Sequence, residues 1–197
     1  MNFSEINSII KLLNQEKLVI LNTDTIPALI GDSSSAVAIK KIYQAKKRTK
    51  NKPIALLVSD TKLIKNYAIL NEESEKIFQQ STKTISIILP QKQKNNLAPN
   101  INQNDNSISI RIPKDKFLIE LISKFGRALA ATSVNISDKE LLTDTNLIKK
   151  EFADSVDYIE PITNLNTAST IIKQGSTNFQ IVRSGSVSLS EIKKITK

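Results

Sequence analysis

Short apolar runs alternate with stretches of helical periodicity from one end of the chain to the other. This alternation confines the fold to helices packed on one sheet. Residues 4–15 carry Ile6, Ile9, Ile10 and Leu13 on one helical face, and 18–21 reads as a strand. Residues 33–45 predict a second helix, with Ser33, Ser34 and Ser35 as N-cap candidates and Val37, Ile39, Ile42 and Tyr43 as its apolar side. The apolar run 54–58, entered through Pro53, reads as a buried strand. Helices are predicted over 60–70 and 72–80, and strands over 84–89 and 107–112. In the last of these, Ile108, Ile110 and Ile112 alternate with Ser107, Ser109 and Arg111, the pattern of a half-buried strand. The polar segment 91–106 between them has the length of a lid or a linker. A helix over 114–125 ends at Gly126, and a strand of small residues follows over 128–132. A helix over 145–152, a hairpin of 169–172 with 180–182, and a closing helix opened by the Ser188/Glu191 capping box complete the chain. No repeat or linker divides it, so residues 1–197 are expected to form one α/β or α+β domain.

What the chain lacks narrows its chemistry. It contains no cysteine and no histidine, which removes disulfides, thiol nucleophiles, Ser-His-Asp triads and imidazole-ligated metal sites. Catalysis must come from lysine, arginine, carboxylates, hydroxyls, amides, backbone and bound ions. The net charge of +9 suits nucleic acid, an acidic membrane surface or a phosphorylated ligand. Richness in Asn, Ile and Lys also follows from AT-rich coding, so charge alone is weak evidence for RNA. No apolar run approaches the roughly 18 residues of a membrane span, and no signal peptide is evident. The expectation is a cytoplasmic protein without membrane contact.

The cations cluster. Five fall within seven positions, Lys46 to Lys52, just before the strand 54–58. Such a cluster at a sheet edge can hold a multiply charged anion: Arg48 with paired hydrogen bonds, Lys46 or Lys52 as point charges. Polar groups recur at strand ends: Thr23 and Thr25, Ser133 and Asn135, Ser169 and Thr170, with Arg111 and Arg183. Each has a plainer reading, as a solvated loop, a capping turn or a surface arginine. Together they would line a cationic pocket suited to phosphoryl or nucleotidyl transfer by positioning and charge neutralisation. Neither a P-loop nor a G-x-G-x-x-G fingerprint is present.

The ordered set Thr23-Asp24-Thr25, Lys46-x-Arg48 with Lys52-Pro53, Ser86, Ser107-Ile-Ser-Ile-Arg111-Ile-Pro113, Ser133-Val134-Asn135 and Ser169-Thr170 resembles the YrdC/Sua5 family of threonylcarbamoyl-AMP synthases. The likeness runs from about Leu18 to Gly185, and the chain resembles the short bacterial form. The resemblance implies an α/β fold, a single-domain twisted open mixed sheet flanked by helices with a large basic cavity. It implies a nucleotidyltransferase that joins L-threonine, bicarbonate and ATP into threonylcarbamoyl-AMP and pyrophosphate, for modification of adenosine 37 in tRNA. Lys46 and Arg48 would be catalytic. Arg48, Lys52, Ser86, Asn135, Thr143 and Arg183 would bind ATP. Thr25, Ser133 and Ser169 would bind threonine. Mg²⁺ would arrive on the phosphates, with no protein metal site, and the partners would be tRNA and the downstream tRNA threonylcarbamoyltransferase proteins. The chain departs from the family pattern at Pro27-Ala28, Leu57, 82–84 and Asp138, with the first two near the expected threonine site. The alternatives are a non-catalytic RNA-binding module of the same fold and a decayed relic that binds nucleotide alone.

Overall fold

The computed structural model describes residues 3–49, 53–102, 106–163, 165–175 and 178–196. In chain order the elements are α1 (Phe3–Asn14), β1 (Val19–Leu21), β2 (Ala28–Asp32), α2 (Ala36–Ala45), β3 (Ala55–Leu57), α3 (Thr61–Ile64), α4 (Glu72–Gln80) and β4 (Ile85–Pro90). The second half adds β5 (Ser107–Arg111), α5 (Lys116–Phe125), β6 (Leu129–Ser133), α6 (Thr145–Phe152), β7 (Tyr158–Ile159), β8 (Thr170–Gln174), β9 (Phe179–Arg183) and α7 (Leu189–Thr196). All nine strands form one mixed sheet in the order β7-β1-β2-β6-β3-β5-β4-β8-β9. This is the expected α/β architecture.

Local chemistry sets the element ends. Ser35 caps α2 by accepting from the Ala38 amide, and Asp60, Asn71, Asp115 and Asp144 cap the four helices that follow it in the same way. Gly126 ends α5 at φ 75°, where glycine carries no Cβ penalty. Ser188 and Glu191 form the reciprocal capping box at the start of α7.

Alternation along the strands divides the apolar residues between two faces. One face carries Leu29, Leu56, Ile87, Ile110, Ala130 and Ile172 and is covered by α2, α3, α4, α6 and α7. The other carries Val19, Leu21, Ala28, Ile30, Leu57 and Leu129, and the helices packed on it are α1 and α5. These two helices cover β1, β2, β6 and the end of β3. No residue of β5, β4, β8 or β9 belongs to their cluster. The second face is therefore roofed over one half of the sheet and bare over the other, where the strands present Ser86, Ser109 and Arg111 among Ile88 and Ile171.

Two expectations are corrected. The stretch 91–102 is not a lid: Ala98 and Ile101 are buried in the core beneath α2, and the Ala98 amide donates to the Ser33 carbonyl at 2.8 Å. It straps the roofed face, on the opposite side of the sheet from the bare strands. The helix expected over 60–70 stops at Ile64, because the chain turns to bury Tyr67, whose hydroxyl accepts from the Ala128 amide.

Candidate active site

The bare half of the sheet floors a cavity of about 350 Å³. Strand register explains its polar floor. Leu57 on β3 pairs with Arg111 on β5, Arg111 with Ser86 on β4, Ser86 with Ile171 on β8, and Ile171 with Arg183 on β9. These five residues make one row across five strands, and all border the cavity. A bulge in the β8–β9 pairing lies between Ile171 and Ile172, next to the position facing Arg183.

Arg111 stands between Leu57 and Ser86 in the row and is only 8 % exposed. Its guanidinium donates to Thr25 Oγ1 at 2.6 Å and to Asp24 Oδ1 at 3.3 Å. Asp24 also accepts from Thr84 Oγ1 and from the Lys114 amide, so its carboxylate is fixed from three sides. Burial pushes the Arg111 pKa down, Asp24 opposes that push, and nearby Arg183 adds to it. A guanidinium stays charged under such a shift, so two like charges face one hollow. Thr23 braces the approach, donating to the Ile26 carbonyl at 2.8 Å and lying 3.0 Å from the Thr25 hydroxyl.

On the β8 side, Ser86 Oγ and Ser169 Oγ lie 2.9 Å apart. Arg183 donates to the Ser169 carbonyl at 2.8 Å and to its hydroxyl at 3.2 Å. On the β6 side, Arg48 donates to Thr132 Oγ1 at 3.1 Å and to the Pro53 carbonyl at 2.7 Å. Arg48 reaches the cavity through the way α2 ends. The Arg48 amide bonds the Tyr43 carbonyl and the Lys47 amide bonds the Gln44 carbonyl, a Schellman closure with Lys47 at φ 49° in the position that favours glycine. The reversal sends Lys46 inward and Arg48 back toward β6.

Lys46 is 1 % exposed. Its ammonium donates to the Ser133 carbonyl at 2.5 Å, the Asn135 carbonyl at 2.7 Å and Asn135 Oδ1 at 2.8 Å. Burial and then Arg48 push its pKa down to about 7, while three oxygens favour the charged form. Ser133 Oγ donates to Asn135 Oδ1 at 2.6 Å. Lys46 and Asn135 thus stand behind the cavity wall and shape the loop after β6, whereas Ser133 and Arg48 border the cavity.

Of the residues singled out in the sequence, Thr25, Arg48, Ser86, Ser133, Ser169 and Arg183 come together around the cavity. Thr143 does not join them: it is exposed, just ahead of the α6 cap, and does not border the cavity. Lys52 lies outside the described residues. Arg111, which the sequence places among the cations of such a pocket, borders the cavity too and is anchored there by Thr25 and Asp24. Thr132 and Ser109 join the lining without a role that the sequence alone suggests. The polar face of the alternating strand 107–112 was the signal for Arg111 and Ser109, since a hydrophilic strand face in a sheet covered by helices must meet solvent or a ligand.

An α/β domain with an arginine-lined hollow on the open face of its sheet is the class that fold and site define. The family model of Sua5, YciO and YrdC, described as "Telomere recombination", matches residues 11–185. The chain belongs to this family. A Methanocaldococcus jannaschii protein provisionally named as a threonylcarbamoyl-AMP synthase is 32 % identical over 199 residues, covering 98 % of this chain and 93 % of that protein. The threonylcarbamoyl-AMP synthase of Pyrococcus abyssi is 24 % identical over 188 residues, and the match spans 54 % of its length. In structure, P. abyssi Sua5 complexed with L-threonine superposes with a TM-score of 0.89 at 23 % identity, over 99 % of this chain and 58 % of that one. E. coli YciO superposes with a TM-score of 0.84 at 18 % identity, over 96 % of this chain and 93 % of that one. At these identities the structural likeness speaks to the fold.

Proposed function

We propose that the protein is a nucleotidyltransferase that forms threonylcarbamoyl-AMP and pyrophosphate from L-threonine, bicarbonate and ATP. The observation that carries this reading is the convergence of Arg48, Arg111 and Arg183 with six hydroxyls on one cavity, in a chain whose relatives bear that name. The hollow offers charge neutralisation and hydrogen-bond donors but no imidazole or thiol. That suits a reaction in which the substrates bring their own nucleophile.

In this reading the threonine amine captures carbon dioxide from bicarbonate, giving a carbamate and water. A carbamate oxygen attacks the α-phosphorus of ATP. The new P–O bond forms as the bond to pyrophosphate breaks in line, and pyrophosphate carries away the electron pair. Arg111 and Thr25 would receive the amino-acid carboxylate end, with Ser169 nearby. Arg48 and Arg183 would meet phosphate charge as it builds, with Ser86 and Ser133 alongside. Lys46 and Asn135 would hold the β6 loop at the geometry the α-phosphate requires. Among the described residues no cluster of three metal-ligating side chains forms, so Mg²⁺ would enter on the ATP phosphates. The product is an activated acyl group, which calls for an acceptor enzyme acting on tRNA.

Pyrophosphate release from ATP, with and without threonine and bicarbonate, tests the reading. Release is expected only with all three present. Arg48→Ala should slow it by on the order of a hundredfold with the fold retained, the usual scale for losing one preorganised charge contact. Salt-sensitive RNA binding without ATP turnover would overturn the assignment.

A further inference from the structure

Six hydroxyls border the cavity, and five are already committed within the protein. Thr25 takes the Arg111 guanidinium, Ser86 and Ser169 pair with each other, Thr132 takes Arg48, and Ser133 donates to Asn135. The sixth is Ser109. Its Oγ is buried and has no protein partner among the described residues. One other polar atom of the cavity shares that condition, Nε of Arg111. Both lie on β5, two residues apart, so their side chains leave the strand on the same face, with backbone positions about 7 Å apart. Beside Ser109 the ladder places Ile88, and Ala55 borders the same hollow. Neither side chain can satisfy a hydroxyl, so a partner must come from within the cavity.

We propose that the Ser109 hydroxyl hydrogen-bonds the side-chain hydroxyl of the amino-acid substrate while Arg111 Nε–H takes its carboxylate, making Ser109 a specificity-determining residue. This rests on the reaction proposed above. A buried hydroxyl without a partner is unfavourable, and alanine at this place would avoid the penalty without leaving a void. The pair of uncommitted groups matches a β-hydroxy amino acid: an anionic end for the guanidinium, and one hydroxyl two carbons away. A site built to bond a hydroxyl rejects the analogue lacking it, because its own polar group is then left unpaired.

Calorimetric titration of wild type and Ser109→Ala with L-threonine, L-valine and ATP tests this. Valine has the shape of threonine with methyl in place of hydroxyl. Wild type is expected to bind threonine more tightly than valine. In Ser109→Ala, threonine affinity should fall by about threefold to tenfold, the scale of one neutral hydrogen bond, with valine and ATP affinities unchanged and the melting temperature no lower. Unchanged threonine affinity in the variant, or an equal fall for threonine and valine, would overturn the proposal while leaving the reaction intact. Failure of wild type itself to bind threonine would sink both, and that is seen before any variant is made.

Discussion

Lys46 illustrates how far a residue's place can differ from its type. A lysine in a basic run usually waves in solvent, yet this one is buried and spends its three N–H groups on three oxygens of one loop. Burial disfavours the ammonium, the neighbouring Arg48 charge disfavours it further, and together they place the pKa at about 7 against an ordinary 10.5. The consequence for stability has a definite sign. Between about pH 7 and 10.5 the unfolded chain holds a proton here that the folded chain has shed, so unfolding free energy rises with pH across that window. Below about 7 the burial penalty is present in full. Lys46→Met keeps the length and removes the titration. Urea denaturation across the window should give a climbing difference between wild type and variant. A constant difference would mean that the three oxygens hold the ammonium at its ordinary pKa.

At the scale of elements, β8, β9 and the segment entering α7 must stay in register for Ser169 and Arg183 to meet Ser86. Gly185 governs that junction. A Cβ there would lie 2.3 Å from the Ala168 carbonyl oxygen and 2.4 Å from the Thr170 nitrogen, both backbone atoms that cannot swing aside. Two residues later the Val187 amide and carbonyl both bond the Thr170 hydroxyl at 2.9 Å, which fixes the same contact. Gly185→Ala should therefore destabilise the fold by about 1–3 kcal/mol, the usual range for forced overpacking, and weaken ATP binding by shifting Arg183. Denaturant midpoints and a nucleotide titration check both. The sequence made most elements legible, since periodicity marks an amphipathic helix such as α5 and an alternating strand such as β5. It hid β2, because all five of its residues are buried and neither alternate nor follow a helical period. It overextended α3, where burying Tyr67 outweighs local propensity. It brought out Thr25, Arg48, Ser133 and Arg183 as polar groups near strand ends. The row Leu57–Arg111–Ser86–Ile171–Arg183 stayed hidden, because pairing across five strands fixes it and no local pattern encodes that pairing.

For the molecule as a whole, the arrangement that matters is a sheet whose second face is only half roofed. The roofed half holds the fold together, and the bare half keeps a partly desolvated set of guanidiniums facing a hollow. Arg111 pairs with Asp24, while Arg48 donates to Thr132 and the Pro53 carbonyl and Arg183 to Ser169, so three guanidiniums stand around one hollow. An anion that enters relieves that repulsion in the folded state alone, so it should stabilise folding by mass action. ATP at a hundred times its dissociation constant would add about 2.7 kcal/mol. In a chain of this size each kcal/mol moves the melting temperature by about 2–4 °C, so the expected rise is roughly 5–11 °C. Arg48→Ala should lose most of it. Salt separates this mode from RNA binding along an exposed lysine surface, which weakens steeply and log-linearly as counterions compete. Charges gripping a nucleotide inside a cavity are less screened, so the ATP-induced rise should persist with only modest loss up to physiological ionic strength. A rise that appears with RNA, is absent with ATP and disappears in salt would place the ligand on the outer surface instead.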